Sequence, residues 1–230
     1  MISIYQSDDG RVTEIDSIQP GSWNHLCGPE EAEINRVCDE LGVDHDFVRA
    51  ALDEEERSRI EVEDGVTLIL VDTPTVEAEG RSFVYSTIPF GIVLAKDNII
   101  TVCLKETSLP RAFSEGLVKG FSTKKRNRMT LQMLYRNATL FLFYLRQVDK
   151  ASSRVENELH ISMKNKELIQ MLGLEKSLVY FSTSLKGNEL VLEKLLRMDF
   201  VKDYPDDTEL LEDVIVENKQ AIEMSNIYRD

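Results

Sequence analysis

The sequence predicts an α/β chain: a largely antiparallel sheet covered on both faces, then long antiparallel helices, then one further helix. Three observations carry this. Residues 57–104 switch to an apolar period of two with repeated adjacent apolar pairs. Between Phe121 and Leu172 there is no Gly or Pro, and apolar residues recur at alternating three- and four-residue steps. After Pro205 the same spacing returns and runs to the end of the sequence.

In chain order, Ile2–Tyr5 and Arg11–Glu14 are short strands around the turn Ser7-Asp8-Asp9-Gly10. Ser22–Cys27, which carries the only Trp, is a third. Pro29 stands at a helix start, and Ala32, Ile34, Val37, Cys38 and Leu41 keep the helical period to Gly42, a C-cap. Asp44 caps a short helix through Phe47, Val48, Ala51 and Leu52.

Ile60 and Val62 open the next strand, and Asp64-Gly65 turns tightly into Val66–Asp72. Ser82–Ile88 follows, Pro89 and Gly91 break or bend it, and Ile92–Ala95 resumes. Lys96-Asp97-Asn98 leads into Ile99–Leu104. Together these form an antiparallel meander of at least four strands. Leu70, Val71, Ile92, Val93, Ile99, Ile100 and Val102 are its expected core, and their adjacency in pairs requires cover on both faces.

A short helix is expected from Leu109-Pro110 to about Gly120, closing a first unit over residues 1–120. Residues 121–205 form a helical hairpin. Its first arm carries Leu131, Leu134, Ala138, Phe141, Leu145, Val148, Ser152, Val155, Leu159, Ser162, Lys166 and Ile169 on one seam, ending at Gly173. The return arm runs from Leu174 to about Met198. In the final helix, residues 206–230, the expected seam is Leu210, Val214, Glu217, Ala221, Met224 and Tyr228, widened by Leu211, Ile215 and Ile222. That helix would be roughly 37 Å long. It stops with its seam still running, which suggests a chain cut from something longer.

The net charge of −14 disfavours nucleic acid and anionic lipid and favours cations. Residues 30–64 hold fourteen acids against four arginines; residues 206–230 hold eight acids against Lys219 and Arg229. No apolar run approaches the roughly 20 residues of a membrane span, and the three cysteines form no CxxC. His25, His45 and His160 make no metal-ligand spacing. Gly116–Lys125 lacks the ending of a phosphate loop, and the basic run Lys124–Arg128 is a solvated helix start. Nothing in these patterns supports an enzyme.

Three segments resemble one known family. Leu52–Asp72 (LDEEERSRIEVEDGVTLILVD) and Ile88–Glu106 (IPFGIVLAKDNIITVCLKE) are similar to the linker and meander of CorA-type magnesium transporters, and so is the ending NIYRD. The resemblance implies an α/β/α sandwich with a mixed, largely antiparallel sheet on the cytoplasmic side of the cell membrane. It also implies a C-terminal stalk helix leading to the membrane, and a homopentamer. The two membrane helices and the Gly-Met-Asn signature of the pore are not in this sequence, so the resemblance is to the cytoplasmic, ion-sensing portion alone. Arg57-Ser58-Arg59 stands where the family often has Arg-Pro-Lys, which leaves that loop less rigid. The family extends to cobalt, nickel and zinc relatives.

By the same resemblance Asp213 on the stalk helix and Asp53 in the acidic loop, with Glu54 as substitute, are the metal candidates. They would bind Mg²⁺, or Co²⁺ and other divalent cations, weakly between subunits. Mg²⁺ keeps several waters, so one or two carboxylates make a loose, regulatory site. The alternative from another class is a soluble helical adaptor whose coiled-coil seams bind a protein partner.

Overall fold

A computed structural model describes residues 1–8, 11–79, 82–161, 165–198, 200–201 and 205–229. Seven strands form one sheet: β1 (Ile2–Asp8), β2 (Arg11–Ile15), β3 (Trp23–Cys27), β4 (Arg59–Glu63), β5 (Val66–Glu79), β6 (Ser82–Ala95) and β7 (Asn98–Cys103). Their order is β2-β1-β3-β7-β6-β5-β4. Every pairing is antiparallel except β3 with β7, where Trp23 meets Ile99 and Cys27 meets Cys103. The helices are α1 (Glu31–Leu41), α2 (His45–Arg49), α3 (Ser108–Ser114), α4 (Arg126–Ile161), α5 (Asn165–Arg197) and α6 (Pro205–Arg229). A 3₁₀ turn, Ala50–Leu52, continues α2.

The adjacent apolar pairs divide between two cores, as period-two geometry demands. Leu68, Leu70, Val93, Ile100 and Val102 pack under Ile34, Val37 and Val48 of α1 and α2. Their neighbours Ile69, Val71, Ile92 and Ile99 pack on the opposite face under Phe113 of α3, Leu131 of α4 and Val191 of α5. This is the expected α/β/α sandwich. A third core lies beyond the sheet, where Tyr85 meets Phe141, Leu145, Phe181, Leu185 and Ala221.

Pro89 and Gly91 do not break β6. It pairs with β5 without interruption from Glu79↔Ser82 to Thr67↔Leu94. The reason lies at the strand's other edge. The β6–β7 ladder ends at Phe90↔Cys103, so Pro89 falls where β6 has lost that neighbour. Pro74 likewise lies beyond the last β4–β5 pair, Arg59↔Leu70. Gly91 is required by packing: a Cβ there would stand 2.8 Å from the Cβ of Ala51 in the 3₁₀ turn.

The helical hairpin also differs from its expected outline. α4 runs to Ile161 and α5 is in place from Asn165 and continues through Gly173, so Lys166 and Ile169 belong to α5 and are exposed. Ser162 falls outside the described residues. In the sequence the three- and four-residue spacing runs on from α4 into α5, which hid the division between the two helices. Gly173 sits inside α5 with open space where a Cβ would be. On α6 the buried positions are Asp207, Leu211, Val214, Asn218, Ala221, Ile222 and Ser225, while Leu210, Glu217, Met224 and Tyr228 are only half-buried. The seam is rotated from the expected one because buried polar residues, not only apolar ones, define it.

Side chains of the hairpin dock onto sheet backbone. Asn188 Oδ1 accepts from the Asp72 N–H (2.8 Å) and its Nδ2 donates to the Asp72 carbonyl (2.9 Å). Asn137 Nδ2 donates to the same carbonyl at 2.7 Å. Lys194 Nζ donates to the Ile60 carbonyl at 2.9 Å. Burial pushes the Asp72 carboxyl pKa upward, opposed by a hydrogen bond from Ser184.

At the parallel junction Trp23 Nε1 donates to Thr101 Oγ1 (2.8 Å), and that hydroxyl lies 2.9 Å from His25 Nδ1. Burial lowers the His25 pKa to about 4, against weaker opposing pulls from Thr101 and Glu106. The imidazole is therefore neutral at pH 7, free to accept from the Thr101 hydroxyl.

Two predictions follow from this packing. Gly173→Ala is expected to stabilise the chain by about 1 kcal/mol, since Gly costs that much in a helix interior. Gly91→Ala is expected to destabilise it by roughly 1–3 kcal/mol through overpacking. Chemical denaturation of both variants checks this, and equal effects would contradict it. For His25 the unfolded chain binds a proton from about pH 6.5 downward, while the folded chain refuses it until about pH 4. Stability should fall through that window as pH drops. In His25→Gln the fall should be shallower than in the parent, read from melting temperatures at pH 7, 6, 5 and 4.

Candidate cation-binding carboxylates

Asp213 is exposed on α6, on the side away from the buried seam. Glu209, Glu212, Val216, Gln220 and Glu223 share that exposed surface. The acids stand outward because Leu211, Val214, Asn218 and Ala221 occupy the opposite side, which packs on α4 and α5. An exposed carboxylate keeps its water and offers a hard oxygen ligand at little desolvation cost.

Asp53 and Glu54 are also exposed, in the loop between the 3₁₀ turn and β4. Asp53 Oδ1 accepts from the Glu55 N–H at 3.0 Å, and its carbonyl accepts from the Glu56 N–H at 3.2 Å. This turn sets the direction of the Asp53 side chain. Downstream, Ser58 Oγ donates to Asn188 Oδ1 at 3.1 Å. Arg59 pairs with Glu56 and, at 2.6 Å, with Glu61. Ser58, in place of a proline, thus ties the loop to α5.

Glu54 differs from Asp53 in having a cation of its own. Lys105 Nζ lies 3.7 Å from Glu54 and 2.7 Å from Glu77, bridging the acidic loop to β5. Hydrogen bonding to Glu77 raises the Lys105 pKa, so it is fully charged at neutral pH. Periodicity offered no signal for this pairing, which joins residues far apart in the chain.

The structure does not bring these carboxylates together within one chain. Among the described residues no group of three or more His, Cys, Asp or Glu side chains could hold a metal ion. The basic run before and into α4 is partly committed. Lys124 lies 3.7 Å from Asp8, and Arg128 pairs at 2.7 Å with Asp207, whose side chain is only 6% exposed. That part-buried pair, 79 residues apart, was not expected from the sequence. Among the described residues no helix is long and apolar enough to cross a membrane.

Residues 19–230 match the family described as CorA-like Mg²⁺ transporter protein. A curated relative, the cobalt/magnesium transport protein CorA of Methanocaldococcus jannaschii, is 26% identical over 221 residues. The match takes in 90% of this chain but 65% of that protein, so the chain spans just under two thirds of its relative's length. The solved soluble domain of CorA from the same organism superposes over the whole chain and 92% of its own, with a TM-score of 0.86 at 22% identity. The complete structure of that CorA magnesium transporter also gives 0.86, at 21% identity, over all of this chain and 73% of its own.

Proposed function

We propose, from the premise that the chain belongs to the CorA-like Mg²⁺ transporter family, that it is the ion-sensing portion of a divalent-cation transporter. On this reading it lies on the cytoplasmic side of the membrane, and membrane helices follow α6 in the whole protein. Copies assemble as a homopentamer around α6, and Mg²⁺ or Co²⁺ is the ion sensed. Family membership favours this over a soluble adaptor. The relative's name, cobalt/magnesium transport protein, supports the choice of ions.

The observation that carries the reading is the outward placement of Asp213 on a helix whose other side is firmly packed. Asp213 is the α6 half of a site whose second half comes from the neighbouring copy. Asp53 is the better second half than Glu54, because Lys105 already lies near Glu54. An ion bridging two carboxylates holds the copies together; without it they repel. At about 4 Å, two unit charges in surroundings between water and protein surface interact by roughly 1–4 kcal/mol. An ion bound to only one arrangement shifts the balance towards it.

Ten times its dissociation constant of Mg²⁺ adds about 1.4 kcal/mol to the state that binds it. For a chain of this length that is a rise of roughly 3–6 °C in melting temperature. The parent should show this in millimolar MgCl₂ relative to NaCl at matched ionic strength, and should gain mass in sedimentation. Asp213→Ala and Asp53→Ala should each lose most of the rise. If both respond as the parent does, the carboxylates are surface charge and the assignment fails.

A further inference from the structure

The parallel junction of the sheet sets two cysteines side by side. Cys27 is the last residue of β3 and Cys103 the last of β7, and the two are register partners. Paired residues of adjacent strands send their side chains to the same face. Both belong to the core that α3 covers, Cys103 wholly buried and Cys27 at its half-buried margin. Cys38, the third cysteine, is buried on the opposite face of the sheet, in the core under α1 and α2. An oxidant arriving from solvent therefore meets Cys27 first, and the thiol beside it is that of Cys103.

The two thiols are chemically unlike. A hydrogen bond from the Cys103 thiol holds the Cys27 pKa down at about 7, against the upward push of burial. Cys27 is thus about half thiolate at neutral pH, the form that reacts. Donating that bond, together with burial, pushes the Cys103 thiol well up, so it keeps its proton. Burial pushes the Cys38 thiol up to about 11, which leaves it inert. The backbone also permits a bond between the pair. Adjacent strands run about 4.8 Å apart, within the roughly 4.4–6.8 Å between Cα atoms that disulfides span. Cβ atoms of parallel neighbours stand about that far apart too, a little beyond the roughly 3.5–4.5 Å of a relaxed bridge. Closure therefore draws two strand ends together, and a bridge made under such strain is readily reduced again.

We propose that Cys27 and Cys103 are a reversible oxidation site for hydroperoxides, with Cys27 as the attacking sulfur and Cys103 as the resolving one. Cys27 attacks one oxygen of the peroxide and the O–O bond breaks. Cys27 becomes a sulfenic acid, and the other oxygen takes a proton from water and leaves as an alcohol, or as water from hydrogen peroxide. Cys103 then attacks the Cys27 sulfur. The S–S bond forms, the S–O bond breaks, and hydroxide leaves with the Cys103 proton as water. In total two thiols lose two electrons and two protons, and the peroxide is reduced to an alcohol and water. Two equivalents of a small-molecule thiol restore both cysteines and leave as their own disulfide. In a reducing compartment a disulfide of this transient kind serves sensing, not bracing. The proposal does not rest on the ion-sensing reading.

The test treats the parent chain at neutral pH, without metal, with a slight excess of hydrogen peroxide. Remaining thiols are then alkylated in denaturant, and the chain is digested without reduction. Free thiols should fall from three per chain to one. The peptides bearing Cys27 and Cys103 should be recovered joined, with Cys38 alkylated, and dithiothreitol should return all three thiols. Cys103→Ala should leave Cys27 as a sulfenic acid that dimedone traps, and Cys27→Ser should leave Cys103 reduced. A parent that ends with oxidised Cys27 beside a free Cys103 thiol overturns the proposal. So does a bridge from Cys27 to Cys38 or to another chain, or three thiols left intact. The parent measurement needs no variant, so it decides the matter even if Cys103→Ala fails to fold.

Discussion

Sheet and helices are joined where one side-chain amide grips the backbone N–H and C=O of one residue. Strand β5 runs well past its neighbour β4, whose last pair is Arg59↔Leu70. From Asp72 onward one edge of β5 needs other partners for its peptide groups, and a buried unpaired N–H or C=O costs about 1–3 kcal/mol. Asn188 answers at Asp72, offering an acceptor and a donor as a neighbouring strand would. The same Oδ1 takes Ser58 Oγ from the acidic loop, and Asn137 brings α4 to the same carbonyl. Loop, strand and both hairpin helices thus meet around the Asn188–Asp72 contact. Beyond it β5 and β6 continue as a two-stranded ribbon, which would be weak alone. Tyr85 anchors that ribbon in the third core against Phe141 and Phe181, whose rings meet edge to face at 5.3 Å.

The sheet was legible because its physics is local. A strand covered on both faces must be apolar at successive positions, and Ile69-Leu70-Val71 and Ile92-Val93 show that directly. The misreadings have one origin: a local rule applied where a distant contact decides. Pro and Gly break strands that pair on both edges, but Pro89 sits where β7 has ended and Gly91 yields space to Ala51. Gly ends helices that have nowhere further to pack, but Gly173 lies in a helix whose next turns bury Leu174, Leu178 and Phe181. The rotated seam of α6 has the same cause. Asn218 and Ser225 look like surface residues until the carbonyls of Leu185 and Leu178 are known to face them.

The candidate site was less legible still. Spacing and composition marked acidic stretches but could not choose among twenty-two acids in the two of them. Asp213, Asp53 and Glu54 came from family resemblance. Burial and pairing add what resemblance could not: Asp213 faces outward, Asp53 is oriented by its own turn, and Glu54 lies near Lys105. Asp207 shows the converse. It sits in the same acid-rich segment, yet it is buried and held by Arg128, a structural acid among surface ones.

This division of the acids bears on how a loosely held ion could matter. A hydrated divalent cation between two exposed carboxylates contributes little energy, and that energy is useful only if it is not absorbed locally. Polar contacts tie α6 to its neighbours: Asp207 to Arg128 of α4, and Asn218 and Ser225 to carbonyls of α5. Asn188 and Asn137 then couple those helices to the sheet and to the loop that bears Asp53. On the ion-sensing reading, both halves of an intersubunit site are therefore carried by elements that these contacts join.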